Sequence, residues 1–273
     1  MEFKTLEIIQ RDPSVSVFHI YLNRPSQNNA LSLPFFDELP KALSLLDDDP
    51  SVSVIVLSGR GRHFCSGIDL SALGSVTSSS GSDAGRSRER LRRSIRGLQS
   101  SISAVERCRK PVLAAIHGAC VGGGVDLAAA CDVRYCCEGA FFSVKEVDLA
   151  IVADLGTLQR LPRIVGYGHA AELALTGRRF SAAEAREMGF VSRVFSTADA
   201  MDESVGAIAR EMAGKSPLAL MGAKAVLLRS RDQTVEDGLD YVATWNSSML
   251  ISEDLDEALS AHLHKRKPTF SKL

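Results

Sequence analysis

Two carboxylates eight residues apart, Glu146 and Asp154, stand in an apolar stretch running from Phe141 to Gly156. A carboxylate set among Val, Leu, Ile and Ala loses hydration of its charged form. Its pKa then rises toward values useful for moving protons near neutral pH. Two glycine-bearing segments could meet these acids. In His63-Phe64-Cys65-Ser66-Gly67-Ile68-Asp69-Leu70 a glycine beside a turn can free a backbone N–H to point into a cleft. In Gly118-Ala119-Cys120-Val121-Gly122-Gly123-Gly124-Val125-Asp126 the glycines sit where a strand gives way to a helix. There a ligand can approach the main chain, and the helix N-terminus offers free N–H groups and positive potential. The spacing is not the G-x-G-x-x-G of a dinucleotide turn. Each segment also has a plain structural reading: an ordinary Ser-Gly turn, a close helix contact, and acids that cap helices or pair with Arg160 or Arg163. Two acids beside an anion-friendly glycine turn favour catalysis.

Alternating strand and helix signals must position these groups. Val15 to Leu22 and Val52 to Leu57 read as strands, with a helix from Ser32 to Asp47 between them. Pro111 to Ile116 is a buried strand, Val125 to Cys131 a helix of small residues, and Asp132 to Tyr135 and Ala140 to Lys145 two further strands. The pattern predicts a layered α/β fold. Ser71 to Arg88, rich in serine and glycine, reads as a mobile loop. A helix is expected from Ser87 to Cys108. Arg86, Arg88, Arg90, Arg92, Arg93 and Arg96 at its start form either a solvated face or a contact for a phosphorylated ligand. Ser181-Ala182-Ala183-Glu184 fits a capping box. Beyond Ser196 only helices are expected, near 199–213, 217–229, 234–249 and 252–265. This divides the chain into a mixed core, 1–195, and a helical C-terminal subdomain, 196–273.

The 273 residues suffice for a sizeable core without disulfide staples. Lys and Arg number 32 against 33 Asp and Glu, a net charge of −1 that argues against coating of nucleic acid or polybasic adhesion to membranes. No apolar run reaches the length of a membrane helix. The N-terminal Met-Glu-Phe-Lys-Thr-Leu-Glu has neither the apolar core of a secretory signal nor the character of a transit peptide. Cys65, Cys108, Cys120, Cys131, Cys136 and Cys137 match no CxxC framework and read as reduced core residues. His63 and Cys65 are neighbours without a second ligand pair, so no metal is expected.

Together these segments resemble the crotonase superfamily, the enoyl-CoA hydratase/isomerase fold. The likeness runs from Leu22-Asn23-Arg24-Pro25 and Asn29-Ala30-Leu31, through Phe64 to Leu70, Ile116 to Gly124 and Thr157 to Pro162, and on to Lys265-Arg266-Lys267-Pro268. It implies a ββα spiral core carrying C-terminal helices that take part in trimer or hexamer formation. Within the superfamily the chain is most similar to the dienoyl-CoA isomerases, because Asp126, Glu146 and Asp154 occur together. Hydratases usually carry Glu where Asp126 stands and Gly where Asp154 stands.

The resemblance implies an acyl-CoA substrate bound along Ser66, Gly67, Ile68, Asp69, Leu70 and Gly123. The Ile68 and Gly123 N–H groups would form the oxyanion hole, Asp154 would act as base at C2, Glu146 as acid at C6, and Asp126 as a supporting group. No cofactor is expected, since CoA is part of the substrate. The competing expectations are an enoyl-CoA hydratase using Asp126 and Glu146, and a catalytically idle relative that binds acyl-CoA or RNA. The chain ends in Ser271-Lys272-Leu273, a tripeptide read by the peroxisomal import receptor, which would place the protein in the peroxisome.

Overall fold

The computed structural model describes residues 3–77 and 83–273. A six-stranded sheet is built from β1 (Leu6–Ile9), β2 (Val17–Leu22), β3 (Val54–Gly59), β4 (Val112–Ile116), β6 (Val133–Cys137) and β9 (Arg193–Phe195), in that spatial order. β1 runs antiparallel to β2, and every other neighbouring pair is parallel. A second sheet holds β5 (Ala119–Val121), β7 (Phe141–Ser143) and β8 (Phe180–Ser181). The chain passes from β4 to β5 through His117 and Gly118, so one short connection joins the two sheets.

β4 is apolar at every position and β3 is from Val54 to Leu57, and the period of two divides their side chains between two cores. Ile55, Leu57, Val112, Ala114 and Ile116 face a core shared with α1 (Leu33–Asp48), α3 (Ala84–Arg107) and α4 (Gly123–Ala130). Val54, Val56, Leu113 and Ala115 face the opposite way, onto Met201, Val205 and Ala209 of α8 (Ala198–Ala213). The i, i+4, i+8 spacing of those three residues gives α8 its apolar stripe. The helices beyond Ser196 therefore differ. α8 covers a face of the main sheet, whereas α10 (Val235–Met249) and α11 (Glu253–Leu263) bury one residue each, Gly238 and Ala261. α9 (Pro217–Ser230) is tied to the core by Lys224, whose buried Nζ donates to the Val105 and Lys110 carbonyls and meets Asp132 at 2.8 Å.

Part of the stretch expected as a mobile loop is helical. Leu70–Thr77 forms α2, and α3 starts at Ala84, three residues before the expected Ser87. Asp83 explains the early start: its Oδ1 accepts the Arg86 N–H and caps the helix. Ser78, Ser79, Ser80, Gly81 and Ser82 lie outside the described residues. The arginines of α3 are solvated, Arg86 pairing with Asp83 and Arg93 with Glu89. The capping box at Ser181 and Glu184 is present at the start of α7 (Ala182–Glu187). All six cysteines are buried and free, and burial pushes the Cys65, Cys108, Cys131 and Cys136 thiols up to about 12. No helix among the described residues is long and apolar enough to cross a membrane.

Candidate active site

The segment Ser66–Asp69 is braced from below by Arg24–Leu31. Ser66 N–H donates to the Asn28 carbonyl, Leu31 N–H to Gly67, and Asp69 N–H to Leu31. The buried Asn29 amide donates to the Arg60 and His63 carbonyls, and Arg24 pairs with Asp69 at 3.0 Å. These bonds use the outward side of the segment and leave Ile68 N–H aimed the other way. The glycine turn is set beside it by Cys65, which bridges Cys120. His63 serves the same junction, its Nδ1 accepting the Ala119 N–H at 3.1 Å.

Gly122 caps α4 with φ +52 and ψ −120, a conformation that side chains scarcely tolerate, and a Cβ there would stand 3.2 Å from Glu146 Oε1. The main chain at Gly123 passes close to Ile68: a Cβ at Gly123 would lie 3.7 Å from Ile68 N. Neither N–H has an acceptor among the described residues. Two neighbouring donors without an acceptor, one of them at a helix N-terminus, are an arrangement able to receive an anion. They open on a cavity of about 470 Å³ whose walls include Ser66, Gly67, Ile68, Asp69, Leu70, Gly123 and Glu146.

Glu146 begins a 3-10 turn, Glu146–Leu149, directly after β7. Its Oε2 is buried without a hydrogen-bond partner among the described residues. Burial first, then the negative charge of Asp126, pushes its carboxyl up to about 7. Asp126, in the first turn of α4, is 1% exposed and lies behind the cavity wall. Its Oδ1 accepts the Thr157 N–H at 2.6 Å and the Thr157 hydroxyl at 2.7 Å, while Oδ2 is buried and unpartnered. Burial lifts this carboxyl to about 6 against the opposing pull of the Thr157 bonds. Asp154 precedes α5 (Thr157–Val165) and lines a second cavity of about 1280 Å³, between α3, α5, α9 and α10. Gln99 of α3 holds its carbonyl at 2.7 Å. Partial burial raises the Asp154 carboxyl, and its charge in turn raises both Asp126 and Glu146.

The apolar stretch is not uniformly buried, contrary to the sequence expectation. Asp154 is exposed, as are Val147, Leu149 and Val152 on the 3-10 turn and the loop after it. Arg160 and Arg163 do not pair with either acid. Arg160 meets Glu106 at 2.6 Å and Arg163 meets Asp232 at 2.5 Å.

A family model described as enoyl-CoA hydratase/isomerase matches residues 12–272. The chain belongs to the enoyl-CoA hydratase/isomerase family. It is 66% identical over 273 residues to the peroxisomal Delta(3,5)-Delta(2,4)-dienoyl-CoA isomerase of Arabidopsis thaliana, covering 99% of this chain and 98% of that one. It is 45% identical to the mitochondrial Delta(3,5)-Delta(2,4)-dienoyl-CoA isomerase of Mus musculus, over 94% of this chain and 80% of the relative. Among solved structures, the enoyl-CoA hydratase of Bacillus anthracis superposes with a TM-score of 0.88 at 32% identity, covering 98% of this chain and 99% of that one.

In this member of the family, Ile68, Gly123 and Glu146 line one cavity, Asp154 lines the neighbouring one, and Asp126 is buried behind them. The residues that hold them were not legible in the sequence. Thr157 and Gln99 carry no signal in a single sequence, since a threonine at a helix start and a glutamine in a helix are ordinary. Asn29, with a φ of +55 and three side-chain bonds, braces the Ile68 segment.

Proposed function

We propose that this enzyme converts 3,5-dienoyl-CoA to 2,4-dienoyl-CoA. Asp154 removes a proton from C2, and the electrons of that C–H bond delocalise onto the thioester oxygen. The oxyanion is held by the Ile68 and Gly123 N–H groups, each such donor contributing about 3–4 kcal/mol in the transition state. The extended enolate carries electron density to C6, where Glu146 gives up its proton. The carbonyl re-forms, the double bonds now lie at C2 and C4, Asp154 has gained a proton, and Glu146 has lost one. A Glu146 carboxyl that holds its proton to about pH 7 suits the acid role.

The observation that carries this reading is a buried carboxylate, Glu146, in the same cavity as the Ile68 and Gly123 N–H groups, with Asp126 behind its wall and Asp154 on the neighbouring cavity. A hydratase needs two acids to position and split water, so Asp154 is the group left over on that reading. The likeness to hydratase structures favours some hydration of 2-enoyl-CoA through Asp126 and Glu146 as a second activity. The test is direct: incubation with 3,5-dienoyl-CoA should produce the ultraviolet absorbance of a diene conjugated to the thioester. Hydration of 2-enoyl-CoA at a higher kcat/KM would reverse the order of the two activities.

The enzyme acts as a trimer or hexamer in the peroxisome, with no cofactor beyond the CoA of its substrate. Support for assembly comes from the apolar side chains that α10, α11 and their junction leave uncovered, with Ile251 94% exposed and Leu263 77%. Sedimentation of the full chain tests it, a monomer at micromolar concentration being the contrary result. Ser271, Lys272 and Leu273 are exposed, as a receptor-read address requires.

A further inference from the structure

We infer that Thr157 is a positioning residue, whose N–H and hydroxyl clamp Asp126 as the ionised neighbour that keeps the catalytic proton on Glu146. The clamp is asymmetric. Both Thr157 donors go to Oδ1 of Asp126, at 2.6 and 2.7 Å, and Oδ2 has no partner among the described residues. Thr157 is fully buried, so no water competes for these bonds. Its N–H is one of the donors that α5 leaves without a partner inside the helix, where an anion is favoured. Hydrogen bonds to a carboxylate are stronger than those to a carboxylic acid, so a doubly clamped oxygen holds Asp126 in its charged form.

The charge matters because of what surrounds it. The titratable and charged groups facing Asp126 are Asp154 and Arg160 on the α5 side and Glu146 after β7. Cys65 and Cys120 face it from the strand side. Arg160, the one cation among them, is committed to Glu106. Glu146 also feels Asp154, and its chain neighbour Lys145 pairs with Asp148. An ionised Asp126 therefore presses its field on Glu146 and disfavours a second negative charge there. Two acids that feel each other's charge titrate as one system. In this chain Thr157 decides which of them is protonated first as pH falls. It does so from outside the cavity, touching no substrate.

Loss of the hydroxyl in Thr157→Val weakens the hold on ionised Asp126. The shared proton should then move from Glu146 to Asp126, and the titration midpoint of Glu146 should fall by about one pH unit. Infrared difference titration of the substrate-free full-length enzyme reads this directly. The protonated-carboxyl band of wild type near pH 6.5 should be the one absent from Glu146→Gln. In Thr157→Val it should be replaced by a band that the further change Asp126→Asn removes. Thr157→Ser, which keeps both donors, should restore the wild-type band.

Asp126→Asn alone should lower the Glu146 midpoint, which keeps the test open should Thr157→Val not fold. A Glu146 band unmoved in Thr157→Val, or a Glu146 midpoint unmoved in Asp126→Asn, overturns the role. Its purpose rests on the isomerase reading, yet the titration needs no substrate. A wild type inactive on 3,5-dienoyl-CoA overturns the reaction, whereas an unmoved proton in an active enzyme overturns only the part given to Thr157.

Discussion

The two sides of the site are built by opposite means. The side proposed to receive the oxyanion is main chain. Ile68 and Gly123 lend only N–H groups, and their placement depends on tight contacts and on a backbone conformation at Gly122 that favours glycine. The acid side is side chain, and its groups are left short of partners: one oxygen each of Asp126 and Glu146 is buried and unbonded among the described residues. The difference shows what each function demands. A donor pair must be immovable, so it is woven into the fold. A proton carrier must be able to exist in two charge states, so it cannot be fully satisfied in either.

The largest effect is expected on the acid side. Asp154→Asn keeps shape and removes the proposed base, and should lower dienoyl isomerisation by ~10²–10⁴-fold with the fold intact. Steady-state rates and circular dichroism check it, and turnover within threefold of wild type would remove Asp154 from the base role. A somewhat smaller loss is expected on the backbone side. In Gly122→Ala the new Cβ meets Glu146 Oε1 in a conformation closed to alanine. The donor pair should shift, at a cost of ~10²–10³-fold in kcat and about 1–3 kcal/mol in stability. Denaturant melts with parallel kinetics separate the two. An alanine variant with normal kcat would show that the glycine turn is not what places the donors.

The same contrast explains what a single sequence could show. Gly122, Gly123 and Glu146 were legible because a glycine run at a strand-to-helix junction and an acid in an apolar stretch are each unusual. Strand–helix alternation placed β2, β3, β4 and α1 within a few residues, because their apolar periods are long enough to read. β1, β5, β8 and β9, of two to four residues, carry no period and were not foreseen. Asp154 was expected to be buried and is not, because chain direction, rather than the apolarity of its neighbours, decides which side chains of the loop turn inward. Thr157 was invisible because its importance comes from a residue 31 positions away.

A third effect separates the two sides by pH. The Glu146 carboxyl is raised in the folded state above its ordinary value of 4.5, to about 7. Between those values the folded protein binds more protons than the unfolded one, so the contribution of this group to stability falls as pH rises through that window. Glu146→Gln should therefore raise Tm relative to wild type more at pH 8 than at pH 5. Calorimetry at both values checks the sign, and an equal change at the two would mean that Glu146 is not raised. The smallest effect is expected far from either side. Removal of Ser271–Leu273 should leave isomerase activity unchanged and leave a tagged protein in the cytosol, and peroxisomal import of the truncated chain in cells lacking the full-length protein is the contrary result.

The central claim is that Asp154 and Glu146 divide two proton transfers between them, and deuterium exchange tests it most directly. In Glu146→Gln the dienolate can still form, because Asp154 and the Ile68 and Gly123 N–H groups remain, but the proton can return only to C2. In heavy water, with wild-type exchange at C2 measured first to establish that Asp154 trades its proton with solvent, the variant should incorporate deuterium at C2 of 3,5-dienoyl-CoA faster than it forms the 2,4-diene. A Glu146→Gln enzyme that shows neither exchange nor product would contradict the division of roles and make the acids one coupled unit.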